Sequence, residues 1–225
     1  MKYLLFLSLT AVLAAGCIGD DVIQDAVDPE LRITNPLDSL GLGSSHQFDA
    51  QYFNGVGQPE PAVTTWSSSD PAVVSITEEG LATALQEGGV TLTAVAVTPE
   101  GSINTALALG VGTTTVAPTS FRTGVIRTTS SYLLEGDFEL HDIGGGNLEL
   151  RIADDYAAST SLPGLYVYLT NNPGISVGAL EIGRVTDFSG AHTYTIAGAG
   201  LQDYAFVLYY CKPFNVKVGD GEIMD

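Results

Sequence analysis

Short apolar segments separated by turn residues recur along this chain, and they constrain its fold more than any other feature. One example is the run VTLTAVAV from Val90. Another is the segment from Asn147 to Ile152, in which apolar and polar residues alternate. Runs rich in β-branched residues and broken by Pro, Gly, Ser, Asn and Asp are typical of strands joined by tight turns. Apolar residues at helical spacing do not persist over any convincing length. We therefore predict an all-β protein.

Charge and motif content exclude several classes of function. The chain carries 26 acidic and 8 basic residues, for a formal net charge of −18 at pH 7. Nucleic-acid binding requires clustered lysine and arginine, which this sequence lacks, so we exclude a nucleic-acid partner. The sequence contains no Cys-x-x-Cys pair, no His-Glu-x-x-His motif and no Gly-rich phosphate loop before a helix. A hydrolase or nucleotide enzyme is therefore poorly supported, and we do not expect a stand-alone enzyme.

Residues 1–16 have the layout of an export signal. They read MKYLLFLSLTAVLAAG, with one lysine, an apolar run and small residues at the end. The apolar run is shorter than the roughly 20 residues that a transmembrane helix needs. A charged start, a short apolar centre and a small-residue cleavage site together predict a signal peptide.

The end of this leader, Ala14-Ala15-Gly16-Cys17, resembles the lipobox of bacterial lipoproteins. Ala14 departs from the usual pattern, which prefers a larger aliphatic residue there. The resemblance implies cleavage before Cys17 and acylation of Cys17, for example by palmitate. Residues 17–30 would then be an acidic tether to a membrane of the cell envelope, outside the cytoplasm and expected to be the outer membrane. An ordinary secretory leader is the alternative.

The remaining sequence divides into two predicted β domains, at residues 31–112 and 121–225, with a linker at 113–120. In the first, Trp66 is followed by a Ser-Ser-Asp-Pro turn and by the segments GLATA and GVTLTA. This pattern resembles the bacterial immunoglobulin-like domain, group two. The resemblance implies an immunoglobulin-like β-sandwich that acts as a spacer or adhesion module. Trp66 would be buried between its sheets.

The second domain contains LPGLYVYLTNNP from Leu162 and YAFVLYYCKPFNVKVGDGEI from Tyr204. These segments resemble the DM-thirteen domain, a module found beside DOMON domains and in bacterial lipoproteins. The resemblance implies a second antiparallel β-sandwich or barrel. It also implies extracytoplasmic electron transfer with a C-terminal cysteine as the key residue, which corresponds to Cys211.

Cys211 is therefore the candidate catalytic residue, as a redox thiol or a metal or haem ligand. The alternative is a small buried core residue, since free cysteine is among the most buried residue types. His141 and His192 are weak candidate metal ligands beside it. Met224 is a possible soft ligand near the chain end, where fraying is common. The acidic pairs, Asp154 with Asp155 and Asp220 with Glu222, read as solvated turns.

From these residues we predict a membrane-anchored extracytoplasmic lipoprotein that serves as a redox or electron-transfer accessory centred on Cys211. One thiol cannot cycle as an intramolecular dithiol, so this function needs a cofactor, a metal or a partner thiol. The sequence identifies no cofactor. The predicted partners are the membrane, through the lipid on Cys17, and a redox protein or surface ligand. The alternative function is a non-enzymatic cell-surface binding or adhesion protein.

Overall fold

The computed structural model describes residues 26–224. The predicted signal peptide, Cys17 and most of the acidic tether lie outside the described residues. Within them, regular structure is almost entirely β-strand, and the one helical segment is a 3-10 turn at Lys212–Phe214. The prediction of an all-β chain is confirmed. Residues 26–224 include no helix that is long and apolar enough to cross a membrane.

The first half of the chain forms ten strands in three sheets. The strands are β1 (Glu30–Ile33), β2 (Ser39–Gly41), β3 (Ser45–Gln47), β4 (Ala50–Phe53), β5 (Pro59–Glu60), β6 (Val63–Ser68), β7 (Val74–Ile76), β8 (Leu81–Ala84), β9 (Gly88–Thr98) and β10 (Gly101–Gly112). Their orders are β1-β4-β5, β3-β8-β7 and β2-β10-β9-β6. All pairs are antiparallel except β2 with β10, which is parallel.

These three sheets enclose one core and form a β-sandwich. The core contains Trp66 of β6 and Leu92 of β9 from the four-stranded sheet, with Leu31 of β1 and Ala82 of β8 from the two smaller sheets. Gly80 supports this packing. Its φ is +95°, and a Cβ there would lie 2.6 Å from the carbonyl oxygen of Phe48. Only glycine fits both conditions without strain. The sandwich predicted for this half is confirmed.

Two strands of this half differ from the expectation from sequence, which predicts a single strand over HQFDAQYF from His46 and identifies none over 101–112. The run HQFDAQYF from His46 is divided between β3 and β4, which pair in different sheets. Phe48 lies where the chain passes from one sheet to the other. Its ring is buried there, and its N–H donates to the Gly80 carbonyl. The long strand β10 lacked a clear signal because it begins with Gly, Ser and Asn. Its pairing with β9 over eleven residue pairs overrides that weak propensity.

The second half forms nine strands in one antiparallel sheet. They are β11 (Phe121–Thr128), β12 (Leu134–Gly144), β13 (Asn147–Ile152), β14 (Ala157–Ala158), β15 (Leu165–Thr170), β16 (Leu180–Arg184), β17 (His192–Ala197), β18 (Phe206–Cys211) and β19 (Val216–Glu222). The main path is β16-β15-β18-β19-β11-β12-β13-β17, and the short β14 pairs with β12.

This sheet curls into an incomplete barrel. Its two end strands, β16 and β17, contact each other, although no strand pairing between them closes the ring. We call this line of contact the seam. Leu148, Leu150 and Ile152 of β13 point inward and are buried, as their alternation predicted. The interior is a second apolar core, distinct from that of the sandwich.

The two halves meet at a polar joint. Arg32 is buried, and its Nη1 donates to the Asn171 side-chain oxygen (3.1 Å) and to the Gln202 carbonyl (2.8 Å). Asn172 Nδ2 donates to the Val56 carbonyl at 3.3 Å. On the connection at 113–120, Val116 exchanges backbone bonds with Ser39. The described chain therefore begins at this joint.

Candidate functional site

Cys211 is the last residue of β18 and its side chain lies in the barrel core. It is 2% exposed and forms no disulfide. Its register partners are Leu165 on β15 and Val216 on β19. A reactive cysteine needs partial exposure and a positive neighbourhood that favours the thiolate. The apolar enclosure of Cys211 is instead the environment of a packed core residue.

The nearest cation in sequence, Lys212, does not supply that positive neighbourhood. Its Nζ lies 2.7 Å from a carboxylate oxygen of Glu181 and 4.9 Å from the centre of the Tyr166 ring. Both partners belong to the outer face of the sheet, whereas Cys211 points inward. The hydrogen bond to Glu181 raises the pKa of Lys212. The charge of Lys212 is therefore held on the opposite side of the sheet from the thiol.

His141 also lies on the outer face. It alternates with the inward residues of β12, and its ring stacks on Phe121 with centroids 5.0 Å apart. Its Nε2 is 2.7 Å from a Glu139 carboxylate oxygen and 3.2 Å from Arg151 Nη1. The structure does not bring His141 together with Cys211, because the sheet separates them.

His192 opens β17 and faces the interior. Its Nδ1 lies 2.9 Å from the Gly190 carbonyl oxygen, which can only accept, so Nδ1 carries the proton. In the neutral ring Nε2 then presents a lone pair. That atom is buried and has no hydrogen-bond partner among residues 26–224. The ring packs edge-on against Tyr156 at 5.0 Å and Tyr194 at 5.3 Å.

These contacts belong to a group that we call the phenol–imidazole cluster: Tyr156, His192, Tyr194 and Tyr209. The rings of Tyr156 and Tyr209 are 6.0 Å apart. All three hydroxyls are buried, and none has a well-formed hydrogen bond to the described part of the chain. Buried polar groups without partners are rare in folded proteins, and each calls for an explanation. Tyr209 lies two residues before Cys211 on the same face of β18.

Local backbone structure fixes the position of Tyr156 in this cluster. The residue follows β13 in a turn closed by its N–H to the Ala153 carbonyl, and its own carbonyl accepts from the Gly190 N–H at 2.9 Å. Gly136 on β12 lies directly against it. The φ of Gly136 is +142°, and a Cβ there would lie 2.7 Å from the Tyr156 Cα. Glycine at 136 therefore makes room for the backbone of Tyr156.

Burial keeps these phenols protonated. Desolvation raises the pKa of Tyr194 to about 12, and the nearby Asp187 carboxylate adds to this shift. Desolvation also raises the pKa values of Tyr156 and Tyr209 well above the ordinary range. The last two hydroxyls influence each other's ionisation, although their geometry is poor for a hydrogen bond. The three phenols of the cluster are thus uncharged at neutral pH, with the exposed Asp187 carboxylate near them.

The cluster lies under the seam of the barrel. Its members His192 and Tyr194 stand on the end strand β17 and are half-buried, whereas Tyr156 and Tyr209 are almost fully enclosed. Asp187 is in the connection between β16 and β17, which are the two strands that meet at the seam.

The three tyrosines are not evident as site residues from the sequence, because tyrosine is a common strand residue. Period-two alternation was the available signal, since it places Tyr194 with His192 and Tyr209 with Cys211 on inward faces. The remaining candidates lie apart. Met224 pairs through its backbone with Thr123 and is exposed. Residues 26–224 contain no group of three or more His, Cys, Asp or Glu that could hold a metal.

Another pattern, Gly-Ile-Ser-Val-Gly at 174–178, matches the Gly-x-Ser-x-Gly spacing of a nucleophile elbow. That motif requires a serine on a sharp turn between a strand and a helix. Here the segment follows β15 but leads into the strand β16. Gly178 also packs against the Gln58 side chain of the first half. The segment is therefore part of the joint and lacks the geometry of an elbow.

Comparisons with known proteins give distant structural similarities. No family model matches the chain, and no curated protein matches it. One similar solved structure is that of domains 4 and 5 of the S-layer protein SbsC. It has 11% identity over 86% of this chain and 96% of that chain, with a TM-score of 0.28. Another is a chimeric titin Z1Z2 functionalized with a KLER exogenous peptide from decorin. It has 15% identity over 80% and 88%, with a TM-score of 0.25. We assign the fold from the strand pairing alone.

Proposed function

We propose that this protein is an extracytoplasmic, lipid-anchored binding protein and not an enzyme. The enclosure of Cys211 supports this function most directly, because a thiol that is 2% exposed cannot meet a protein or small-molecule partner without local opening. His141, on the outer face, cannot serve as a ligand beside it. The electron-transfer role implied by the resemblance to DM-thirteen domains is therefore the second candidate.

An exposed apolar surface supports the binding function. We call it the distal tip: Tyr132 and Leu133 between β11 and β12, with Phe214 between β18 and β19 and Val216 at the start of β19. Leu133 is 52% and Phe214 is 68% exposed. The two connections lie at one end of the barrel, because β11 pairs with β19 and the Thr129 N–H donates to the Val218 carbonyl. Contiguous exposed apolar residues are typical of interaction surfaces.

The distal tip lies opposite the domain joint. Residues 171–172 follow β15 and contact the first half, whereas the Phe214 turn follows the antiparallel β18 at the other end of the barrel. Val27, in the predicted tether, lies close to the joint, where its N–H donates to the Gly55 carbonyl. The nine residue steps from Cys17 to residue 26 span at most about 32 Å. With lipid on Cys17, the membrane lies on the joint side and the tip can face outward.

The second candidate, a redox module, has one observation in its favour. Tyr209 shares the inward face of β18 with Cys211, and its ring contacts Tyr156, which contacts His192 at the seam. An electron route from the thiol to the surface could follow these rings. This function still requires an external partner, because a single thiol cannot cycle alone.

Thiol reactivity separates the two functions. The exported protein, purified in detergent from membranes, is treated with a maleimide before and after unfolding and then weighed by mass spectrometry. A binding protein leaves Cys211 unmodified until the chain unfolds. A Ser131→Cys variant, with an exposed thiol at the distal tip, shows that the reagent reaches a folded chain. Rapid modification or a native adduct at Cys211 would support the redox module and contradict our proposal.

The lipid anchor has its own test. Cells expressing the full chain are labelled with palmitate, and the protein is followed in membrane and soluble fractions. We expect Cys17→Ala to abolish labelling and to leave the protein outside the membrane fraction or uncleaved. Cys211→Ser is the matched control, because it removes the other cysteine and should keep the label. Unlabelled native protein with a free N-terminus would show an ordinary secretory leader.

A further inference from the structure

The polar atoms of the phenol–imidazole cluster need partners that residues 26–224 do not provide. Three hydroxyls and one imidazole nitrogen are buried there without a well-formed hydrogen bond. Leaving such a group unpaired costs about 1–3 kcal/mol. Four such atoms lie within one set of touching rings. The cluster therefore points to something that binds these atoms.

Chemistry narrows the occupant to a metal ion. Phenolate oxygens are hard anionic donors, an imidazole nitrogen with a free lone pair is a common metal ligand, and iron accepts tyrosine oxygen as a ligand. Zinc sites are built from cysteine, histidine and carboxylates, which are not grouped here within residues 26–224. The thiol of Cys211 is a soft ligand and belongs to a different class.

Charge balance selects a trivalent ion. Burying a charge is costly unless opposite charges pair with it. Three phenolates carry three negative charges, so a 3+ ion produces a neutral assembly with the neutral His192 ring. A divalent ion would leave a net negative charge in an apolar core. Each phenol that binds the ion loses its proton to the solvent, so the atoms and charges balance without any redox step.

We propose that Tyr156, His192, Tyr194 and Tyr209 form a ferric-ion binding site in the barrel interior. Binding requires the four side chains to turn toward a common point. This inference goes beyond the proposed function and does not depend on the lipid anchor or on the distal tip.

Access is provided by the seam. The end strands β16 and β17 are in contact but unpaired, so separating them breaks no ladder hydrogen bonds. His192 and Tyr194 lie on the end strand β17, which is paired with β13, and the Asp187 carboxylate stands in the connection beside them. The net charge of −18 raises the local concentration of cations around the whole molecule.

Ferric nitrilotriacetate is the probe for this site. Added to the full-length exported protein, it should produce a visible phenolate-to-iron charge-transfer band that saturates at one iron per chain. Tyr209→Phe and Tyr194→Phe each remove one ligand oxygen and keep the ring, so both should fold. We expect each to weaken iron binding by about a hundredfold or more, since changes even beyond the ligands cost 10–100-fold.

Two controls make the test decisive. Tyr132→Phe removes an exposed hydroxyl at the distal tip, and Tyr168→Phe removes one on the outer face; neither should change the band. Zinc added under the same conditions should bind much more weakly than ferric or gallium ions. Absence of the band, a band unaffected by the two cluster variants, or equal binding of zinc would overturn the proposal.

Discussion

Replacing Tyr209 with phenylalanine tests the central observation on the cluster in the metal-free protein. The side chain is fully buried, and its hydroxyl has no well-formed hydrogen bond within residues 26–224. Removing an unpaired buried hydroxyl returns part of its desolvation cost, which is about 1–3 kcal/mol. Because the ring remains, no large cavity forms. We expect the free energy of unfolding of the barrel to rise by about 1 kcal/mol, allowing for imperfect repacking.

Calorimetry and urea unfolding on metal-free protein measure this change. For a chain of this size, 1 kcal/mol raises the melting temperature by about 2–4 °C. The paired control is Tyr168→Phe. The Tyr168 hydroxyl donates to Glu181 at 3.1 Å, and its loss should lower the free energy of unfolding by about 1 kcal/mol. The reasoning fails if Tyr209→Phe destabilises the protein as much as Tyr168→Phe does. That result would mean that the Tyr209 hydroxyl has a bound partner in the metal-free protein.

Three further predictions concern the joint, the barrel core and the hydroxyl of Tyr194. Arg32→Ala removes a buried guanidinium that donates hydrogen bonds to Asn171 and Gln202. We expect it to lower the free energy of unfolding by about 2 kcal/mol and to increase the radius of gyration measured by small-angle scattering. Arg32→Lys should not restore these hydrogen bonds, because lysine lacks the planar guanidinium group. Leu150→Ala should cost about 2–5 kcal/mol in urea unfolding, because Leu150 is fully buried in the barrel core. The pKa of Tyr194 is raised from 10.0 to about 12, so its contribution to stability is complete below pH 10 and disappears as pH rises toward 12. Unfolding measured along an alkaline series should show this loss, and Tyr194→Phe should reduce it.

Much of the fold could be predicted because alternation and turn chemistry are local signals. The apolar residues that alternate in the segment 147–152 form its buried face, as predicted. The glycines at 144–146 turn the chain between β12 and β13. The run from His46 was harder, since nothing local shows that its two halves pair in different sheets. Strand β10 was missed because its Gly, Ser, Asn and Ala residues carry little strand propensity, and its pairing with β9 supplies what they lack.

The candidate site was less predictable, because its parts are close in space and distant in sequence. His192 was a candidate from its inward face, but its ring neighbours come from a turn after β13 and from β18. The resemblance to DM-thirteen domains directed attention to Cys211, whose side chain lies enclosed in the barrel core. Alternation could not show that the hydroxyl of Tyr209, two residues away, would be left without a partner. That property emerges only when the barrel closes around it.

The incomplete closure of the barrel connects these observations. A closed barrel leaves no unpaired strand edge, and its interior becomes a sealed apolar core. Here the sheet stops one pairing short, between β16 and β17, and the polar atoms without partners lie on and beneath that edge. Cys211 shares the inward face of β18 with Tyr209, where apolar packing surrounds it. If the interior has a ligand, it enters at the seam and meets phenols and imidazole before it meets the thiol. We therefore expect chemistry at this domain first at the tyrosines, and we expect Cys211 to be a packing residue of the core.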